Sequence, residues 1–203
     1  MIELDKIYHG DCMKGIRSLS DRSIDLVVTD PPYLIGYRTA RRCGEHKFKH
    51  EIANDSGNKA KLMIADYIHE CFRVLKDNTA AYFFCSSKTL DFFRKECMDA
   101  GFTVKNIIIW DKGNWTAGDL KCQYGQMYEP IVYCNKGRCP INGKRIPDIW
   151  RFKRVSSDKL LHQNQKPVEL IEQCIVKSSI RGGGNHGWLH RQRHNCHCVP
   201  FHS

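Results

Sequence analysis

The sequence predicts an α/β domain with a mostly parallel sheet. Short β-branched or aromatic runs alternate with stretches whose apolar residues recur at helical spacing. The run Ser23–Thr29 is apolar on both faces toward its end, as a strand buried between two layers must be. It stops at Asp30-Pro31-Pro32-Tyr33, because proline has no N–H to give to a ladder.

The elements follow in order. Lys6–His9 reads as a short strand ended by Gly10-Asp11, and Cys12–Leu19 as a helix with Met13, Ile16 and Leu19 on one side. After the Asp-Pro-Pro-Tyr stop, residues 34–59 form a long basic loop carrying Arg38, Arg41, Arg42 and Lys47. Lys61–Leu75 is a helix with Leu62, Ala65, Ile68, Phe72 and Leu75 on one face. Ala80–Cys85 is a strand. Lys88–Ala100 is a helix closed by Gly101, a residue suited to a C-terminal cap. Phe102–Trp110 and Glu129–Asn135 are further strands, the second turned by Lys136-Gly137. Residues 137–161 are polar and basic, with Trp150 and Phe152 between the charges. Pro167–Ser178 is a helix, proline being suited to a first turn. The tail 182–203 has no apolar period and holds half of the 10 histidines.

The composition suits one globular domain. The chain has 203 residues, 41% hydrophobic and 27% charged. No apolar run is long enough to span a membrane, and the N-terminus has no signal pattern, so a cytoplasmic location is expected. The net charge of +10 favours a polyanion partner, nucleic acid being the commonest. Most of the 11 cysteines sit in apolar segments and read as reduced core residues.

The chemistry is carried by Asp30-Pro31-Pro32-Tyr33, at the end of a buried strand where an α/β fold places ligands. The motif resembles the catalytic motif of S-adenosylmethionine-dependent amino-methyltransferases acting on nucleic-acid bases. It makes chemical sense there. An exocyclic base amine is a poor nucleophile because its lone pair is delocalised into the ring. Asp30 can accept one of its N–H groups and the Pro31 carbonyl the other, which favours a tetrahedral nitrogen able to attack a sulfonium methyl. Tyr33 would stack on a base flipped out of the duplex.

Two further segments extend the resemblance. Gly10-Asp11-Cys12 stands where one group of these enzymes has a Gly-Asp pair near the adenosyl moiety. His162-Gln163-Asn164-Gln165-Lys166-Pro167 is similar to the family's His-x-x-x-Lys-Pro segment, whose lysine lies by the methionyl carboxylate. The order of motifs is that of the permuted group, in which the catalytic motif precedes the cofactor loop. The resemblance thus implies a Rossmann-like methyltransferase fold over residues 1–181. It implies Asp30 through Tyr33 as catalytic residues, and cofactor contacts from Asp11, Cys12, Asp30, His162, Lys166 and Pro167. An aspartate at the first motif position goes mainly with adenine N6; cytosine N4 and RNA amines are the alternatives.

Double-stranded DNA is the expected partner. Arg38, Arg41, Arg42 and Lys47 of the first basic loop, and Arg145, Arg151, Lys153 and Arg154 of the short candidate target-recognition segment, are the expected contacts. A second copy or a partner subunit, and a cognate restriction enzyme, are further partners to look for.

The resemblance breaks at the tail. The permuted group continues with Asp-x-Phe-x-Gly-x-Gly, whereas this chain has Gly182-Gly183-Gly184-Asn185-His186-Gly187 and no acidic residue from there onward. A frameshift or truncation near this point is the simplest account, and it would expose a sheet edge. An inactive DNA-binding remnant is then the alternative of another class. His190, His194, Cys196 and Cys198 are metal-ligand types, but their spacing is tight for zinc and no metal is expected.

Overall fold

The computed structural model describes Tyr8 and residues 10–36, 54–115, 121–156 and 165–179, together with the backbone of the strand at 196–197. Its elements are α1 (Cys12–Arg17), β1 (Ile24–Thr29), α2 (Gly57–Val74), β2 (Leu75–Phe84), α3 (Leu90–Asp99), β3 (Thr103–Asp111), β4 (Tyr128–Lys136), β5 (Ile149–Arg151), α4 (Val168–Ser178) and β6 (Cys196–His197).

The strands form one sheet in the order β5-β3-β4-β2-β1-β6. β1 runs parallel to β2 and β6, and β3 parallel to β5. β4 is antiparallel to both its neighbours, β2 and β3. One reversed strand in an otherwise parallel sheet matches the mostly parallel expectation, and it sets the head of β4 at the same end of the sheet as the tail of β1, one strand away.

The period of two along each strand divides the core between two faces. Val27, Ala81, Phe83, Val132 and Cys134 point to the face covered by α1, α2 and α3. Leu26, Val28, Ala80, Tyr82, Phe84, Ile131 and Tyr133 point to the other, against Trp150 and the α4 residues Leu170 and Cys174. Burial on both faces explains why β1 reads as a continuous apolar run. Cys71, Cys85, Cys97, Cys134 and Cys174 are buried free thiols, as their apolar surroundings suggest.

Three local differences have physical causes. β2 starts at Leu75, without a loop after α2, but its register against β1 jumps from Leu75 to Ala80 around Asn78, which has φ +62°. The regular part therefore begins at Ala80. Pro167 caps α4 from just outside, with extended ψ 137°, instead of lying within its first turn. Residues 149–151 pair with β3, and Trp150 is a core side chain rather than a surface aromatic among charges.

Among the described residues, the outer edge of β1 is paired only by the two residues of β6. No described helix is long and apolar enough to cross a membrane. Of the strand expected at Lys6–His9 only Tyr8 is described, outside any strand. Residues 37–53 of the expected 34–59 loop and nearly all of the tail lie outside the described residues, and the last three residues of that loop instead open α2.

Candidate active site

Asp30 leaves the carboxyl end of β1, and Pro31 and Pro32 are buried behind it. The chain then turns through Leu34, a non-glycine residue at φ +60°. That conformation costs energy and needs holding. The buried Asp55 supplies the hold: its Oδ1 accepts the Leu34 amide at 2.7 Å, and its carbonyl accepts the Gly36 amide at 2.8 Å. On the other side the Thr89 hydroxyl donates to the Tyr33 carbonyl at 2.8 Å. The loop is thus fastened from α2's entry and from α3's start.

The side chains of the motif meet groups from three other parts of the chain. Tyr33 Oη lies 2.7 Å from Asp30 Oδ1 and 2.9 Å from Glu129 Oε2 at the head of β4. Having one proton, the hydroxyl donates to one carboxylate at a time. Lys166, just before α4, donates to Tyr33 Oη at 2.8 Å. Its Nζ is 3.1 Å from Asp30 Oδ1 and 3.2 Å from Glu129 Oε2. Lys112, just after β3, pairs with the other oxygen of Glu129. The Lys166 ammonium also lies 5.1, 5.4 and 5.8 Å from the ring centres of Tyr33, Phe84 and Trp110, within cation–π range.

The electrostatics follow from burial and pairing. Burial raises the Asp30 carboxyl above its ordinary range, opposed by Lys166 and the Tyr33 hydroxyl. Burial pushes Glu129 up as well, but Lys166 and Lys112 outweigh it and hold it at about 2. Burial works against the Lys166 charge, yet Asp30 and Glu129 together hold its pKa above the ordinary value. Burial and the two carboxylates drive the Tyr33 phenol well above 10. Glu129 therefore carries the firm negative charge, and Asp30 is the acid readiest to take a proton. The Asp30 side chain keeps 27% of its surface open, so an incoming group can reach it.

The other candidates are placed differently. Asp11 is exposed and caps α1, its Oδ1 accepting the Met13 and Lys14 amides at 2.8 and 3.3 Å. Cys12 is half-buried, and burial followed by the nearby Asp11 charge pushes its thiol up to about 11. Arg151 is exposed on β5 and 3.3 Å from Asp111. Lys153 and Arg154 follow it and are exposed. Arg145 lines a cavity of about 440 Å³ with Tyr82, Tyr133 and Trp150, on the α4 side of the sheet. Arg38, Arg41, Arg42, Lys47 and His162 lie outside the described residues. Among the described residues no group of three or more metal-ligand types converges.

Glu129, Lys112 and Asp55 escaped the sequence reading. Glu129 carried a signal: a carboxylate directly before Pro130 and the apolar Ile131-Val132-Tyr133, at the head of a strand with no water on either face.

Known proteins carry the same sequence pattern and architecture. A family model described as DNA methylase, covering N6 and N4 enzymes, matches residues 24–184. The DNA adenine methyltransferase YhdJ of Escherichia coli is 27% identical, over 89% of this chain and 69% of its own length. The type II methyltransferase M.HpaI of Haemophilus parainfluenzae is 26% identical, over 85% of this chain and 59% of its own. Among solved structures, the M1.HpyAVI–SAM complex superposes with a TM-score of 0.58 at 21% identity, covering 85% of this chain and 76% of that one. The cytosine-N4-specific PvuII DNA methyltransferase gives 0.61 at 14% identity, covering 86% and 70%. The fold is that of the S-adenosylmethionine-dependent DNA methyltransferases. With four-fifths of its length inside the family match, this chain belongs to the DNA methylase family of N6 and N4 amino-methyltransferases.

Proposed function

We propose that the chain transfers a methyl group to the exocyclic N6 amine of an adenine flipped out of double-stranded DNA. The observation that carries this is Asp30 at the open end of β1, partly exposed and held beside a rigid Pro-Pro turn. S-adenosylmethionine, when bound, supplies the methyl group on a sulfonium.

The chain's own residues handle the amine. Asp30 accepts one N–H of the amine and the Pro31 carbonyl the other, which draws the nitrogen toward a tetrahedral shape with its lone pair aimed outward. Both acceptors are fixed before substrate arrives, so little reorganisation is needed. The Tyr33 hydroxyl lies 2.7 Å from Asp30, and a base stacked on its ring would regain roughly 1–3 kcal/mol of the flipping cost. Transfer turns the amine into a more acidic cation, and Asp30 is the adjacent base that can take its proton.

The residues offered for the cofactor fit unequally. Lys166 has three N–H donors, and they face Asp30, Glu129 and Tyr33. A methionyl carboxylate would have to compete with all of them. Lys166 is thus engaged within the cluster and not free to anchor a carboxylate, which favours the second reading, a chain that binds DNA without methylating it.

Residues 137–161 are the proposed target-recognition segment, and its described part, 137–156, exposes Arg145, Arg151, Lys153 and Arg154. The test is to incubate the chain with isotopically labelled S-adenosylmethionine and DNA of mixed sequence, then digest and identify labelled nucleosides by mass spectrometry. N6-methyladenine supports the reading. N4-methylcytosine moves the target, and label in neither, with DNA retarded on a gel, supports the second reading.

A further inference from the structure

We propose that Glu129 is a positioning residue for the reaction: it fixes Lys166 and the Tyr33 hydroxyl against Asp30, so that the Asp30 carboxylate meets the amine in one orientation. This rests on the methyl-transfer reading above.

The geometry carries it. Both Glu129 oxygens are engaged, Oε1 by Lys112 and Oε2 by Lys166 at 3.2 Å and Tyr33 at 2.9 Å. Lys166 and Tyr33 in turn share Asp30 Oδ1, at 3.1 and 2.7 Å. Asp30 Oδ1 is thereby held by Lys166 and by the Tyr33 hydroxyl, whose single proton it shares with Glu129, which leaves Oδ2 to face an incoming N–H. Without Glu129, the Tyr33 hydroxyl keeps Asp30 as its one carboxylate acceptor, and Lys166 loses one of the two carboxylates that fix its position. The charges alternate along Lys112, Glu129, Lys166 and Asp30, so the enclosed cluster is neutral with both carboxylates ionised. A buried pair that served stability alone could be exchanged for apolar packing at little cost. This one touches the motif that meets substrate.

The titratable groups facing Asp30 come from every element around it. They are Tyr33 on its own loop, Glu129 on β4, Lys166 before α4 and the buried Cys85 thiol after β2. Lys112 acts through Glu129. The Glu129 charge raises Asp30 and the Lys166 charge lowers it. Neutralising each therefore shifts Asp30 in opposite directions, a pattern that simple loosening of the fold would not give.

The experiment is the pH–rate profile of DNA methylation for Glu129→Gln and Lys166→Gln beside the unaltered chain. We expect kcat to fall about 10- to 100-fold in Glu129→Gln, the scale of a misplaced reacting group, with KM for DNA little changed. The acid limb should move to lower pH in Glu129→Gln and to higher pH in Lys166→Gln. Unchanged kcat, or limbs that stay put or move together, would overturn the proposal.

Should Glu129→Gln fail to fold, Lys112→Gln replaces it. Removing that cation leaves the cluster net negative, so the acid limb should rise, and an unmoved limb counts against the proposal. An infrared titration of the Asp30 carboxyl, assigned by difference from Asp30→Asn, reads the same opposite shifts without catalysis. Absence of methylation by the unaltered chain would sink the proposed function, while the infrared shifts would still decide how Glu129 and Lys166 are placed around Asp30.

Discussion

Lys166 stands 3.1 Å from Asp30, so a lysine near the start of the last long helix neutralises the carboxylate at the end of the first strand. The contact joins the carboxyl end of β1 to the segment just before α4. It makes the Asp30–Tyr33 motif dependent on residues far from it in sequence.

Asp30→Asn should remove methyl transfer while sparing the fold. The amide presents an oxygen of similar shape but no charge, and loss of one preorganised transition-state contact typically costs on the order of 10²–10³-fold in kcat. Activity and a thermal melt, measured together, check this; an active variant would refute the role of Asp30.

Asp55→Ala should loosen the motif without touching substrate. It deletes the acceptor for the Leu34 amide at a residue held at φ +60°. Leaving a buried donor unmet costs about 1–3 kcal/mol. Denaturant unfolding gives the stability loss, and kcat should fall with it.

The Glu129 carboxyl predicts part of the acid sensitivity. Its folded pKa is depressed, from 4.5 to about 2. A depressed acid contributes stability above its unfolded pKa and loses it as pH falls through the folded value. The contribution is therefore complete above 4.5 and fades toward about 2. Glu129→Gln should flatten the stability profile across that window, measured by denaturant midpoints at stepped pH.

Gly101→Ala should destabilise more than a surface glycine change. Gly101 sits at φ +102°, and an added Cβ would lie 3.0 Å from the Phe72 ring. The conformational penalty alone exceeds roughly 1 kcal/mol, and the ring is also packed edge-on against Phe102. A lowered denaturant midpoint with an unchanged slope is the expected result.

Replacing Arg151, Lys153 and Arg154 together by alanine should weaken DNA binding and lower its salt dependence. Each phosphate contact contributes about 0.9 to the slope of log affinity against log salt, so three lost contacts remove up to about 2.7. Gel retardation over a salt series measures it, and an unchanged slope would place the DNA elsewhere.

Much of this architecture was legible in the residues. β1 was readable because both its faces are buried and two prolines stop it, and α2 because its apolar residues recur at one helical face. The motif stood out for the same reasons. Glu129 and Lys112 did not, because a charge at a strand end usually marks a solvated boundary. Only the sheet order, with β4 reversed beside β2, brings Glu129 to Asp30. β5 was hidden because three residues in a basic stretch are too few to show a period. Asp55 was hidden because it sits at a helix entry, where a carboxylate reads as a cap.

The buried thiols make the core its own clock. Cys71, Cys85, Cys97 and Cys134 lie within one packed face of the sheet, with Cys174 on the other. Burial raises Cys71, Cys85 and Cys134 above their ordinary range, so they stay protonated and unreactive while the packing holds. A thiol reagent reaches them only when the layers part. The rate at which each cysteine is modified, read by peptide mass, would time the opening of the two faces separately, with no residue substituted.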